Sequence, residues 1–422
     1  MKKTLFTLLL AASLFAGDFD KGMEAARNGD FDTAYAIWKP LADQGDADAQ
    51  DGLGQLYAGG LGVPQDPEKA MAWYRAAIKQ GHVDAQLNLA QLLSRLGRKD
   101  EAFSWYKKNA DVGNPIAQYN VGLSYMNGWS VEKDIAMALA WYTNSAKQGY
   151  APAQLNLGYL YGSGTGVKQD YKEAFKWYRA AAEAGMPQAM YNVGLYYRNG
   201  WGVEKNVSKA LEWYTLAAER GDAVAQFNLG AMHADGEGVE QNLTKAMEWY
   251  TLSAQHGFSD AAYNLAMFYL KGIGVESDPK EGIRWLRTAA EQGNPVAMND
   301  LGFAYERGQN VRQNKKEALK WYTEAAERGH PQAQFNLALM YDDGNGVERN
   351  FAEAAKWYEA AARQGHEMAL LNLGYMYYTG RGMQPDPAKA YEIWMVGAKQ
   401  GSRQAQENVD ILCRRYPMVC HP

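Results

Sequence analysis

From Ala153 to Val167 the chain reads AQLNLGYLYGSGTGV, an apolar run at helical spacing that carries one carboxamide, Asn156, and ends in alternating glycines. The next stretch, EAFKWYRAAAEAG from Glu173 to Gly185, sets Ala174, Trp177 and Ala181 on one stripe. Two short amphipathic helices joined by a glycine loop are predicted. The pattern recurs along the chain. Glycines stand at Gly45, Gly81, Gly113, Gly149, Gly185, Gly221, Gly257, Gly293, Gly329, Gly365 and Gly401, each 36 residues after the last except Gly113, which follows after 32.

These intervals define ten units: 46–81, 82–113, 114–149, 150–185, 186–221, 222–257, 258–293, 294–329, 330–365 and 366–401. The short second unit has lost the glycine loop and reads LSRLGRKDEAF instead. One such helix pair cannot bury its apolar faces alone, so successive pairs must stack. The predicted fold is all-α, a solenoid of about eleven antiparallel helix pairs with a C-terminal capping helix. Residues 18–45 are read as an irregular N-terminal capping pair, with Trp38 near the point where Trp recurs, and 402–422 as the capping helix and tail.

Trp recurs at one helical phase as Trp73, Trp105, Trp141, Trp177, Trp213, Trp249, Trp285, Trp321 and Trp357, which predicts core rather than ligand contact. The Gly-x-Gly loops resemble phosphate cradles only superficially. Phosphate loops follow a strand, whereas these follow a helix and lead into another. Their first glycine suits a left-handed helix end, their second a tight turn, and the Val that follows, as at Val167 or Val203, suits a plug against the helices.

The units AQYNVGLSYMNG…VEKDIAMALAWYTNSAKQG and AQFNLGAMHADGEGVEQNLTKAMEWYTLSAQHG resemble the Sel-one-like repeat, a relative of the tetratricopeptide repeat, over about 85% of the chain. The resemblance implies a right-handed superhelix whose first helices line a concave face, and a protein-binding scaffold. It also implies export, since the family is common among exported bacterial proteins.

Asn156 has counterparts at Asn88, Asn120, Asn192, Asn228, Asn264, Asn336 and Asn372, with Gly52 and Asp300 as departures. Asn inside a helix costs about half a kcal/mol relative to Ala, so something common to these units must offset it. Two outward series beside the row are apolar where a solvated helix should be polar. One contains Leu87, Tyr119, Leu155, Tyr191, Phe227, Tyr263, Phe335 and Leu371; the other contains Leu123, Tyr159, Leu195, Met267, Phe303, Leu339 and Tyr375. An apolar strip flanked by carboxamides is expected to bind an extended peptide, because an amide offers a donor and an acceptor while rings supply contact area. In tetratricopeptide relatives the equivalent Asn contacts bound peptide, which the resemblance carries over to this row. The competing expectation is that the amides bond to neighbouring helices.

Charge and chemistry narrow the rest. With 43 basic and 48 acidic residues the net charge is −5, and no basic block exists, which argues against nucleic acid and anionic membranes as partners. The opening MKKTLFTLLLAASLFAG has the pattern of a signal peptide, residues 1–16, so a periplasmic or secreted protein without stable membrane insertion after its removal is expected. The two cysteines, Cys413 and Cys420, are expected to form one disulfide that ties down the tail. No catalytic set, cofactor or metal site is predicted. Ser104 to Lys107 and Ser277 to Lys280 match Ser-x-x-Lys without the companion motifs of a β-lactamase-like hydrolase, which is the enzymatic alternative. Binding of envelope polysaccharide by stacked rings is the other. Three of six histidines follow a unit-ending glycine, a place that suits a helix start better than a metal cluster.

Overall fold

The computed structural model describes residues 17–420, so the expected signal at 1–16 lies outside the described residues. The chain divides into two compact units, split after Asn206. In the first, α1 (17–27) and α2 (Phe31–Asp43) precede α3 (Ala47–Gly59), α4 (Pro67–Lys79), α5 (Val83–Arg95), α6 (Lys99–Asp111), α7 (Pro115–Asn127), α8 (Ile135–Lys147), α9 (Ala151–Ser163), α10 (Tyr171–Glu183) and α11 (Pro187–Asn199). The second unit holds α12 (Val207–Glu219), α13 (Ala223–Asp235), α14 (Leu243–Gln255), α15 (Ser259–Lys271), α16 (Pro279–Glu291), α17 (Pro295–Arg307), α18 (Lys315–Glu327), α19 (Pro331–Asp343), α20 (Phe351–Arg363), α21 (Glu367–Thr379), α22 (Pro387–Lys399), α23 (Arg403–Arg415) and α24 (Pro417–Cys420). From α3 to α22 the odd helices are the first and the even helices the second of each repeat. Within each unit, successive helices from α2 onward pack on one another in sequence order, and no strand occurs among the described residues. The fold is an α-solenoid.

Several hairpins close on the same contact. The Tyr that follows Trp in the second helix lies flat against a glycine of the first: a Cβ on Gly122 would stand 2.7 Å from the Tyr142 ring, on Gly230 2.6 Å from Tyr250, and on Gly302 2.8 Å from Tyr322. Tyr142, Tyr214, Tyr322 and Tyr358 are among the largest fully buried side chains. Most of the indoles expected as core are instead half-buried, with Trp285 and Trp321 the buried exceptions. Lysine or arginine lies over several of them, as Lys176 over Trp177 and Lys356 over Trp357. Trp38 also occupies the Tyr point rather than the Trp point, where it seals Gly22 and Gly52 and donates from its indole nitrogen to the Phe19 carbonyl. The last repeat matches it: Ile393-Trp394 replaces Trp-Tyr, and Trp394 packs on Gly374.

Loops and caps follow the same logic. Gly164 ends α9 in the left-handed conformation and Gly166 adopts it again, close against Ile135 at the start of the preceding second helix. Val63, Val167, Val311 and Val347 pack from such loops onto the cores. Where the second repeat, 82–113, lacks its loop, Arg98 pairs with Glu101 and reaches the Met71 sulfur at 3.3 Å. First helices start on Asp or Asn in several repeats, and on His82, His330 and His366 in three. In each of these the ring Nδ1 accepts from the backbone N–H three residues on, which fixes the proton on Nε2. At the C-terminus a disulfide joins Cys413 of α23 to Cys420 of α24.

Substituting Leu for Gly230 forces a side chain into the Tyr250 ring, and we expect a loss of about 1–3 kcal/mol from overpacking, read as a lowered Tm. Burial holds the His330 and His366 pKa values below the ordinary 6.5, and an acceptor Nδ1 must be unprotonated. Their contribution is therefore complete above that value and is lost as pH falls through the depressed folded values. Accordingly, Tm should fall on acidification from about pH 7 to about pH 5, and His330→Asn/His366→Asn, which keeps both caps, should flatten that slope.

Candidate peptide-binding face

The two apolar series on the first helices have different fates, because the next hairpin covers one and not the other. The series one residue before the Asn row is packed. Phe335 and Leu87 are buried, which corrects their reading as solvent-facing contacts, and Tyr119, Leu155, Tyr191, Phe227, Tyr263 and Leu371 are half-buried. Three of these rings meet the Tyr of their own second helix and the entry residue of the following first helix. Tyr119 packs on Tyr142 and Tyr150, Phe227 on Tyr250 and Phe258, and Phe335 on Tyr358 and His366, the last pair stacked at 4.7 Å.

The series three residues after the Asn is open where it carries a ring. Tyr159 is 61% exposed, Tyr375 53% and Phe303 42%, while Leu123, Leu195, Met267 and Leu339 are half-buried. On each helix the exposed ring lies about 60° from the Asn, so ring and amide share a face.

Every carboxamide of the row is half-buried and has an intramolecular neighbour. Asn120, Asn192 and Asn228 donate to the carbonyl four residues back, at 2.8, 2.9 and 2.8 Å. Others reach the preceding hairpin: Asn88 donates to the Asp51 carboxylate at 2.9 Å, Asn336 to Asn299 at 3.0 Å, and Asn372 to the Tyr358 hydroxyl at 3.1 Å. Asn156 lies at the Tyr119 and Tyr142 hydroxyls and Asn264 at Tyr250, where they oppose the rise in phenol pKa that burial causes. These bonds offset the helix cost of Asn. Burial likewise raises the carboxyl pKa of Asp51, against the bonds from Asn88 and Gln55. Asp342 shifts the same way, against the charge of Arg381 at 3.1 Å.

The two Ser-x-x-Lys matches do not assemble chemistry. Ser104 is exposed on α6 while Lys107 is held by Asp111, and the Ser277 hydroxyl donates to the Leu270 carbonyl. Two residues that repeat periodicity alone did not weigh as a pair are Leu286, at the point where Tyr recurs, and Asp300, where Asn recurs. Their departure from the pattern was the available signal.

Stacked helical hairpins repeated along the chain define a helical-repeat scaffold, a class that generally mediates protein–protein interaction and is typically non-catalytic. A model of the Sel1 repeat matches residues 47–82, 83–114, 115–150, 151–186, 187–222, 223–258, 259–294, 295–330, 331–366 and 367–402, and the chain belongs to that family. It is similar to the crystal structure of a protective antigen of uropathogenic Escherichia coli with an SLR fold, at 30% identity over 98% of this chain and 94% of that one, TM-score 0.58. It is also similar to a Sel1 repeat protein of Oxalobacter formigenes, at 33% identity over 73% and 90%, TM-score 0.59. Among curated proteins, an uncharacterised protein of Neisseria meningitidis serogroup B is 33% identical over 26% of this chain and 23% of its own length. Chitin synthase regulatory factor 3 of Schizosaccharomyces pombe is 33% identical over 25% of this chain and 12% of its own. The chain thus spans less than a quarter of the length of these two relatives.

Replacing Asn336 by Ala removes its bonds to Asn299 and Gln332 together. We expect a loss of about 1–2 kcal/mol, seen as a lower Tm, with helical content retained.

Proposed function

We propose that this protein is a non-catalytic scaffold of the bacterial envelope that binds an extended segment of a partner protein along its first helices. The observation that carries the reading is the open ring position: Tyr159, Phe303 and Tyr375 remain exposed beside a polar row, although the neighbouring series is covered. Isolated exposed apolar residues need no explanation, but within the second unit Phe303 and Tyr375 are exposed at the same point of their first helices, and Tyr159 takes that point in the first unit. Tyr and Phe bring large area at small entropic cost. The Asn row flanks that line, and its partly exposed amides supply polar contacts that supplement their internal bonds.

The remaining assignments belong to the same proposal. Residues 1–16 direct export to the periplasm or exterior and 18–45 cap the first repeat. The ten repeats carry the binding face, and 402–422 close the far end. No helix among the described residues is long and apolar enough to cross a membrane.

The test uses peptides selected from a random display library on the full chain. Tyr159→Ala, Phe303→Ala and Tyr375→Ala change exposed side chains, so Tm should hold. The best peptides should lose about tenfold in affinity for each ring they engage. Affinity unchanged in all three variants would refute the proposed face.

A further inference from the structure

The buried Tyr of one hairpin lies at the Asn of the next, fourteen residues on: Tyr142 with Asn156, Tyr250 with Asn264, and Tyr358 with Asn372. At one junction both partners are exchanged. Leu286 stands at the Tyr point, and Asp300 stands at the Asn point fourteen residues later. Leucine has neither the ring nor the hydroxyl, and a cavity of about 200 Å³ lies here, where Met267, Leu270, Leu286 and Phe303 meet Asp300 and the loop carboxamides Gln309 and Asn310 close the rim.

The carboxylate in this recess is fixed in direction. One oxygen of Asp300 accepts from the Tyr263 hydroxyl at 3.1 Å and the other from the Asn299 amide at 3.2 Å; Asn299 is itself buried and held by Asn336. Two basic groups stand near. His330 feels the charge of Asp300, but its burial favours the neutral ring, and the Arg307 guanidinium lies over Phe303 at 5.8 Å from the ring centre. Met267, Leu270, Ile283, Leu286 and Phe303 give the recess an apolar side, Gln309 and Asn310 add neutral polar groups, Asp300 is the one charged lining residue among the described residues, and Phe303 is one of the open rings of the first helices.

We propose that this recess receives one basic side chain of the bound segment, its methylene stem against Met267, Leu270 and Phe303 and its cationic head on Asp300. Long basic side chains combine an apolar stem with a charged tip, which matches an apolar pocket holding one carboxylate. A plain apolar side chain would desolvate Asp300 without balancing its charge, and an acidic one would be repelled. The inference rests on the first-helix face being the binding face, and it adds a position on that face that selects for charge.

A fragment titration tests the recess separately from the face. Methyl-¹³C-methionine spectra of the full chain, with Met267 assigned through Met267→Leu, are followed while Nα-acetyl-lysine N-methylamide is added, with the norleucine analogue as control. We expect a saturable Met267 shift for the lysine amide and at least about tenfold weaker response to norleucine. Asp300→Asn should weaken the lysine response about tenfold and leave norleucine unchanged. Since Asn stands at this point in eight repeats, that variant keeps the fold. Leu286→Tyr restores the recurrent ring, fills the recess and should abolish the response without altering charge. No Met267 shift, equal shifts for both amides, or a lysine response indifferent to Asp300→Asn would overturn the recess. If display peptides still lose affinity on ring substitution, the face survives that failure. Peptides indifferent to the ring substitutions and to Asp300→Asn alike overturn both.

Discussion

The stack depends on an aromatic ring of the second helix packing against a small residue of the first, a glycine in most hairpins. Gly122, Gly158, Gly230 and Gly302 each receive the ring of a Tyr from the paired helix, and a single Cβ at any of them would overlap that ring. Close approach sets the spacing of the two helices and excludes water from the seam. Truncating such a buried ring to alanine costs about 3–5 kcal/mol in other proteins, a large share of the stability of a small stacked unit. Where the glycine is Ala338, the neighbouring Tyr358 is still fully buried, so the socket tolerates one methyl. At the ends of the array a larger ring takes the place, Trp38 at one and Trp394 at the other, each with its indole nitrogen bonded to a backbone carbonyl.

From that seam the functional face follows. Once a hairpin is closed, its successor brings an entry residue over one side of the first helix, and Tyr150, Phe258 or His366 covers the ring beside the Asn. The position one turn further along the helix lies beyond that cover and stays open. An Asn amide between the two is half in the interior and half out. It stabilises the stack through Asn299, Asp51 or Tyr358 and still borders the open ring.

Much of this was legible from the chain alone. The glycine interval gave the repeat, and the failure of Gly-x-Gly loops to follow strands removed nucleotide binding; the glycines do adopt left-handed conformations at helix ends. Histidines after unit-ending glycines do start helices. The depth of the aromatic rings was harder to read. Trp177 and Tyr178 are adjacent, and both fit a stripe with Ala174 and Ala181, so periodicity cannot rank them. The discriminating signal was the glycine on the other helix, whose missing side chain makes room for Tyr. The two outward series differ by only about 40° in helical phase, which is too little to predict that Phe335 is covered while Tyr375 is exposed. That outcome depends on the following hairpin. Likewise Asp300 stands out as a departure from Asn, but its meaning depends on Leu286, which it faces only after folding.

The seam itself can be measured by a double-mutant cycle on Gly158 and Tyr178, using the Ala and Leu that occur naturally together at Ala266 and Leu286. Equilibrium unfolding of Gly158→Ala, Tyr178→Leu and the double variant yields their coupling energy. If ring and socket hold each hairpin together, the double variant should be more stable than the sum of the single losses by about 1–3 kcal/mol. Strict additivity would show that the ring does not depend on the missing side chain, and would contradict the account.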